Sequence, residues 1–363
     1  MTGHQDSRCS EITLRKHYCA IYILKPFRSK RRTFSISGSE LLDRGTGAQL
    51  VTLGEAMIRL SVRAGDRLED APAFDIHVAG SEANVAYAAA RVGLKSAWIS
   101  ALPANPLGRR VVSTLAAGGV DTSLVRWVEG GRLGLYFVEM GAAPRPISVV
   151  YDRAASTMAL ATAATFDWTA PANTQFLHVS GITLALSTAS SGIARRAMLE
   201  TKRGDGAVSL DVNYRQRLWA REEAAAAVRA VAPLVDVLVC TAEDARDLFG
   251  AAGTPEAALA NLQALLGVET VVLTLAADGA IASSNGVTVR RGGFVVETVD
   301  RVGAGDAFVA GLIWGLLDGS LEIGLERGLA MSALKMTLRG DLFRFDASDV
   351  AALLARDQRE VGR

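Results

Sequence analysis

Residues 299–308 read Val-Asp-Arg-Val-Gly-Ala-Gly-Asp-Ala-Phe, and a long apolar stretch follows them. If that stretch is a helix, its first-turn N–H groups have no intrahelical acceptor and lie at the positive end of the dipole. Gly303, Ala304 and Gly305 would let an anion approach those groups closely, so the mouth reads as a phosphate cradle. Asp306 is out of place as a phosphate ligand. It makes sense as a base that takes the proton from a hydroxyl attacking phosphorus. The same residues also read as a glycine-rich turn with Asp306 capping the helix. Spacing alone leaves both readings open.

Such a mouth has to be presented by a rigid scaffold. From Gln49 onward, short apolar runs alternate with helical patterns. Residues 50–53, 95–101, 176–180, 208–212, 236–240 and 271–275 read as strands, and most of them are apolar throughout. Strands buried on both faces and separated by helices imply a parallel sheet with helices on both sides. Helices are expected over residues 81–92, 107–118, 187–203, 221–231, 242–249, 305–317 and 321–338. Ser81 is expected to be the N-cap of the first and Gly93 its C-terminal stop. Two hairpin-like strands are expected to run through Thr298. The amphipathic strands near 59–79 and 125–152 do not suit the buried sheet and predict a small separate sheet, a lid.

Composition narrows the partners. The chain has 363 residues, 50% apolar and 21% charged, which is enough to build a core. Its 39 basic and 38 acidic side chains give a net charge of +1. A chain so balanced has no global field for nucleic acid or for an anionic membrane surface. The partners expected are small molecules, and the compartment expected is the cytoplasm. The odd cysteine count and the lack of paired His or Cys spacings argue against disulfides and a structural metal. Residues 1–48 are a basic segment with no cleavage-site pattern, expected to be a disordered extension outside the domain at 49–356.

No Walker loop, no dinucleotide fingerprint after the first strand and no nucleophile elbow occur. Instead, Asp300-Arg301-Val302-Gly303-Ala304-Gly305-Asp306-Ala307-Phe308 resembles the D-T-x-G-A-G-D-x-F signature of the PfkB/ribokinase family of sugar kinases. Gly80-Ser81-Glu82-Ala83-Asn84 resembles that family's N-terminal glycine-rich segment. The resemblance covers about residues 50–345. It implies a ribokinase-like three-layer α/β/α sandwich, with a mostly parallel sheet and a small β-sheet lid. It also implies ATP and Mg2+ as cofactors, leaves a monovalent cation open, and carries the expectation of a homo-oligomer built through the lid.

Further stretches resemble the branch of the family that acts on 2-keto-3-deoxy sugar acids. These are Gly134-Leu135-Tyr136, Tyr151-Asp152-Arg153-Ala154-Ala155-Ser156, His178 to Ser187, and Asp211-Val212-Asn213-Tyr214-Arg215. The likeness implies a substrate such as 2-keto-3-deoxygluconate, phosphorylated on its terminal hydroxyl. Gly80, Asn84, Tyr136, Tyr151, Arg153 and Arg215 become substrate residues. Two pocket arginines without counter-charge would favour a planar carboxylate ligand. On the nucleotide side, the resemblance assigns Thr274, Gly279, Gly303, Gly305 and Glu243, the last acting on magnesium through water, with no direct protein ligand to the metal. Arg59, Asp152, Cys240 and Ala276 depart from the family pattern. A kinase for a neutral sugar or nucleoside is the nearest alternative, and a non-catalytic sugar-binding module on the same scaffold is a more distant one.

Overall fold

Residues 47–141 and 144–360 are described in the computed structural model, the last four of them by backbone alone. The expected N-terminal extension therefore lies, apart from Gly47 and Ala48, outside the described residues.

The chain enters the fold through β1 (Leu50–Leu53), whose four residues are all buried. There follow β2 (Met57–Ser61), β3 (Asp75–Ala79), α1 (Ser81–Arg91), β4 (Ser96–Pro103), α2 (Pro106–Ala117), β5 (Val125–Val128), β6 (Gly134–Glu139) and β7 (Ser148–Asp152). Next come α3 (Thr169–Ala172), β8 (Phe176–Ser180), α4 (Gly181–Leu186), α5 (Thr188–Arg203), β9 (Ala207–Asp211), α6 (Arg221–Val231), β10 (Val237–Thr241), α7 (Ala242–Phe249) and α8 (Pro255–Leu266). The last elements are β11 (Thr270–Thr274), β12 (Ala280–Ser284), β13 (Val287–Arg291), α9 (Ala304–Leu317), α10 (Leu321–Met336) and α11 (Ala347–Glu360).

Among the described residues, nine strands form one sheet in the order β13-β12-β11-β10-β9-β8-β1-β4-β5. The run from β11 to β5 is parallel, and β12 and β13 add an antiparallel edge. Alternation places Val51, Leu53, Leu177, Val179, Val208 and Leu210 in one core, with α5 to α8 packed on it. Helices α1, α9 and α10 cover the other face. A second sheet, in the order β3-β2-β6-β7, is the lid. This is the ribokinase-like α/β arrangement expected.

Three local expectations are corrected. Residues 125–128 pair with β4 at the edge of the large sheet, not with the lid. The two strands expected to run through Thr298 end at Arg291. The N-cap of α1 is Gly80 rather than Ser81, which is the first helical residue and turns its hydroxyl elsewhere.

Helix α9 is apolar around nearly its whole circumference, and nine of its residues are buried. It is pressed against α10 at a glycine crossing. A methyl group on Gly315 would stand 2.2 Å from the Gly324 nitrogen. The two backbones touch there, which only glycine permits. Asp306 lies in the first turn of the helix so packed.

Candidate active site

The parallel strands β1, β8, β9, β10 and β11 all end on one side of the sheet, where sites of open α/β folds collect. Asp306 faces that side and is 9% exposed. Its Oδ1 accepts from Ser81 Oγ at 2.8 Å, and its Oδ2 accepts from Asn84 Nδ2 at 2.7 Å. Ser81 in turn accepts from Asn213 Nδ2 at 3.0 Å. Three separate segments, α1, α9 and the turn after β9, thus fix one carboxylate. Burial raises the affinity of Asp306 for a proton, and the Asn84 and Ser81 bonds partly oppose that. A carboxylate so held is a better proton acceptor than a free one. Asn84 also keeps its Oδ1 buried without a partner, as expected of an acceptor for a substrate hydroxyl.

Helix α1 is itself pinned by Glu82. The Glu82 Oε1 accepts from the Ser180 N–H, the Ser180 hydroxyl and the Thr183 hydroxyl at 2.7–2.8 Å. Burial lifts Glu82 to about 7 despite these bonds. Burial, followed by the neighbouring charge of Asp306, lifts Asp211 to about 8. Both values exceed those of an unfolded chain, so protonation favours the folded state. That stability is complete below the unfolded values and is lost as pH rises through 7 and 8. The melting temperature is therefore expected to fall between pH 6 and pH 9. Glu82→Gln, which keeps an acceptor oxygen, should flatten the lower half of that slope. An unchanged slope in thermal melts of this variant would refute the assignment.

Gly303 caps α9 with φ of 85°, the left-handed region. A Cβ there would lie 2.1 Å from the Asp341 carbonyl oxygen, whereas one on Gly305 would meet nothing within 4 Å. The mouth is closed below by backbone and open above, as a phosphate cradle requires. Gly303→Ala should cost about 1–3 kcal/mol in backbone strain. By moving the first-turn N–H groups it should also lower kcat at least about 100-fold. Steady-state kinetics with a parallel denaturant melt check both; near-normal turnover would count against the cradle.

The lid side corrects the sequence reading most. Arg59, one of the departures from the family pattern, is buried beneath the cradle. Its guanidinium meets Asp300 at 2.8 Å and Asp341 at 3.1 Å. Tyr136 is also engaged, its hydroxyl donating to Asp341 Oδ1 at 2.5 Å. Its ring stacks on Tyr151 at 5.5 Å, and Tyr151, 39% exposed, is the member open to a ligand. Arg153 does not lack a counter-charge, because it is ion-paired with Glu55, which also accepts from Ser156. What Arg153 retains is a buried Nε–H without a partner. Gly80, at φ 151°, lies against the Glu55 carbonyl and shapes the turn into α1.

Arg215 is exposed and donates to the neighbouring Tyr214 carbonyl. No carboxylate lies within ion-pair distance of it among the described residues, although its charge is felt by Asp306, Asp211 and Asp244. Glu243 is exposed on the first turn of α7, and the next residue, Asp244, joins this group instead. The Tyr214 N–H donates to Asp244, and burial raises its proton affinity. Cys240 is fully buried under the sheet end. Thr274 stands in register with Thr241 at the ends of β11 and β10, and Gly279 closes the turn that follows. Ala276 adopts φ of 53°, the left-handed conformation the family's glycine would take without strain. Asp152 pairs with Arg132 on the outside of the lid. Sequence reasoning passed over Ser81, Asn213, Asp211, Asp244, Glu55 and Asp341. The first three lie inside motifs already quoted, whereas Glu55 and Asp341 carry no local signal.

A buried carboxylate at a glycine helix mouth, on a mostly parallel sheet under a strand lid, suits a class of small-molecule phosphotransferases. The chain belongs to the pfkB family of carbohydrate kinases, whose family model matches residues 48–345. It is 38% identical over 317 residues to the 2-dehydro-3-deoxygalactonokinase of Haloferax volcanii, covering 87% of this chain and 99% of that one. It is 35% identical over 299 residues to the 2-dehydro-3-deoxygluconokinase of Thermoproteus tenax, covering 80% and 89% respectively. The solved 2-dehydro-3-deoxygluconokinase of Thermotoga maritima superposes with a TM-score of 0.80 at 34% identity, covering 85% of this chain and 98% of that one. Among the described residues no helix is long and apolar enough to cross a membrane.

Proposed function

We propose that this kinase transfers the terminal phosphoryl group of ATP to the end hydroxyl of a 2-keto-3-deoxy sugar acid, forming 2-keto-3-deoxygluconate 6-phosphate from 2-keto-3-deoxygluconate. The observation that carries the chemistry is Asp306, held by Ser81 and Asn84 at the mouth of α9. Asn84 Oδ1 accepts from the sugar and orients it. Asp306 takes the proton of the terminal hydroxyl as its oxygen attacks phosphorus in line. The N–H groups of the first turn of α9 hold the charge that spreads over the transferring group. The lid excludes water that would otherwise hydrolyse ATP.

The acids present suit a phosphate-bound magnesium better than a protein-held one. Among the described residues no cluster of three or more acidic, His or Cys side chains could hold a metal. After burial and the charge of Asp306, the charge of Asp244 also raises the proton affinity of Asp211, a repulsion that a cation nearby would relieve. These two, rather than Glu243, would hold magnesium through its waters, and the ion would supply neutralising charge on the phosphates.

The names of the relatives and the unpaired guanidinium of Arg215 support a sugar acid. The Glu55–Arg153 pair favours the second reading, a neutral-sugar kinase, because it removes one of the two cations expected to meet a carboxylate. One ADP-release assay over ketodeoxygluconate, ketodeoxygalactonate, fructose and ribose separates them. The keto-deoxy acids are expected to exceed fructose in kcat/KM by about 100-fold, the discrimination of roughly 3 kcal/mol that a bidentate arginine gives. Arg215→Ala should erase most of that preference. Equal turnover of fructose by the native enzyme would overturn the sugar-acid reading. The exposed outer lid residues Ile76 and Val150 support a homo-oligomer through the lid, and light scattering decides it.

A further inference from the structure

Lys335, in the last turn of α10, is 0% exposed and ranks among the largest fully buried side chains. A buried ammonium is costly unless its surroundings compensate it. Its Nζ donates to the Asp300 carbonyl at 2.9 Å and to the Leu338 carbonyl at 3.3 Å. These oxygens belong to two different segments, the one that leads into α9 and the one that leaves α10. The two segments are tied together at the same place by the Val299 and Asp300 N–H groups, both donating to the Met336 carbonyl. The Gly340 N–H donates across to Asp300 Oδ2 at 3.1 Å. Gly303 rests on the Asp341 carbonyl just above.

The charges here add up in a telling way. Asp300 and Asp341 bring two negative charges, and Arg59 brings one positive charge. The cluster is one cation short without Lys335 and neutral with it. A compact cation seated on backbone carbonyls, beside carboxylates it does not directly pair with, is the coordination a small monovalent ion takes.

We propose that the Lys335 ammonium is a tethered monovalent cation that positions the mouth of α9, so that this kinase needs no free potassium or ammonium ion. Lys335 is fully buried on backbone carbonyls, so it acts as a positioning residue through Asp300 and the backbone that carries Gly303. The inference rests on the kinase reading only for its activity readout.

The experiment compares the native chain and Lys335→Ala in tetramethylammonium, sodium, potassium and ammonium chloride at equal ionic strength. Both melting temperature and ADP release are measured. The native protein is expected to change by less than about twofold in kcat and about 1 °C in melting temperature among the four salts. Lys335→Ala is expected to lose activity and to recover it at least about tenfold in potassium or ammonium, but not in tetramethylammonium. Its melting temperature should rise by about 5 °C in the same salts, the shift mass action gives at a hundred times the dissociation constant. Potassium activation of the native enzyme above about fivefold would overturn the proposal, as would a folded Lys335→Ala that responds equally to all four salts. If Lys335→Ala does not fold, Lys335→Met replaces it, and the titration of the native protein still decides. Melting shifts without turnover of any sugar would sink the kinase reading and leave this one standing.

Discussion

Asp306→Asn is expected to lower kcat by about 10³-fold, within the range that general-base removal spans, while the fold and ATP affinity survive. The reason lies in how the side chain is held. Asp306 receives one bond from Ser81 and one from Asn84. An asparagine can keep the Asn84 bond with its carbonyl oxygen, and the Ser81 hydroxyl can rotate to accept from the new amide. The loss in bonding is then about 1 kcal/mol, and relief from burying a carboxylate opposes it. The α9 N–H groups remain, so nucleotide binding should change little. What disappears is the carboxylate proposed to take the hydroxyl proton. Steady-state kinetics, nucleotide titration and a melt on the same preparation test all three statements. Turnover within tenfold of the native rate would remove Asp306 from its role, and loss of folding would show that the site tolerates less than its bonding implies.

The largest effect on stability is expected from Arg59→Met. The guanidinium of Arg59 is 2% exposed and contacts two carboxylates that are equally buried. Methionine fills much of the volume but leaves Asp300 and Asp341 with Lys335 as their one counter-charge. Removing one partner of a buried ion cluster costs about 3–5 kcal/mol, a melting drop of roughly 6–10 °C for a domain of this size. Because Asp341 also holds Tyr136, and Asp300 accepts from the Val302 N–H, the damage should spread to the lid and to the cradle. Adding Asp341→Asn removes the orphaned charge and should restore more than half of the loss. A single-variant effect below 1 kcal/mol, or no coupling in the double variant, would show that water or rearrangement replaces Arg59.

The fold was largely legible because its strands are apolar on both faces and its helices begin and end on ordinary signals. Where legibility failed, the cause is physical. Helix Pro255–Leu266 was passed over although Thr254 caps it and proline stands at its first position, a start signal visible in the residues. Helix Gly181–Leu186 follows its strand without a break, so periodicity had no room to show. In the site, Asp306 and Asn84 could be found because their neighbours form a motif. Ser81 was read as a cap because serine before an alanine-rich run ordinarily is one, and here a buried aspartate competes for the hydroxyl. Arg153 reads as substrate-facing in the sequence because its distant charge partner Glu55 leaves no trace beside it, and Asp300 and Asp341 leave none beside Arg59. Asp244 was overlooked in favour of Glu243 because the two are adjacent on a helix turn, and only the direction of the turn decides which faces the sheet end.

The crossing of α9 and α10 has a consequence for how this protein tolerates change over time. The helix that carries Asp306 is seated on a surface with no reactive group on it, where Gly311, Gly315, Gly324 and Gly328 bring two backbones into contact. No single larger side chain can be admitted there without driving the helices apart and carrying Asp306 with them. A survey of random substitutions should therefore find inactivating changes in two clusters. One surrounds the sugar, and the other runs along a seam of glycines that no substrate ever touches. Inheritance of activity depends on the second cluster as strictly as on the first.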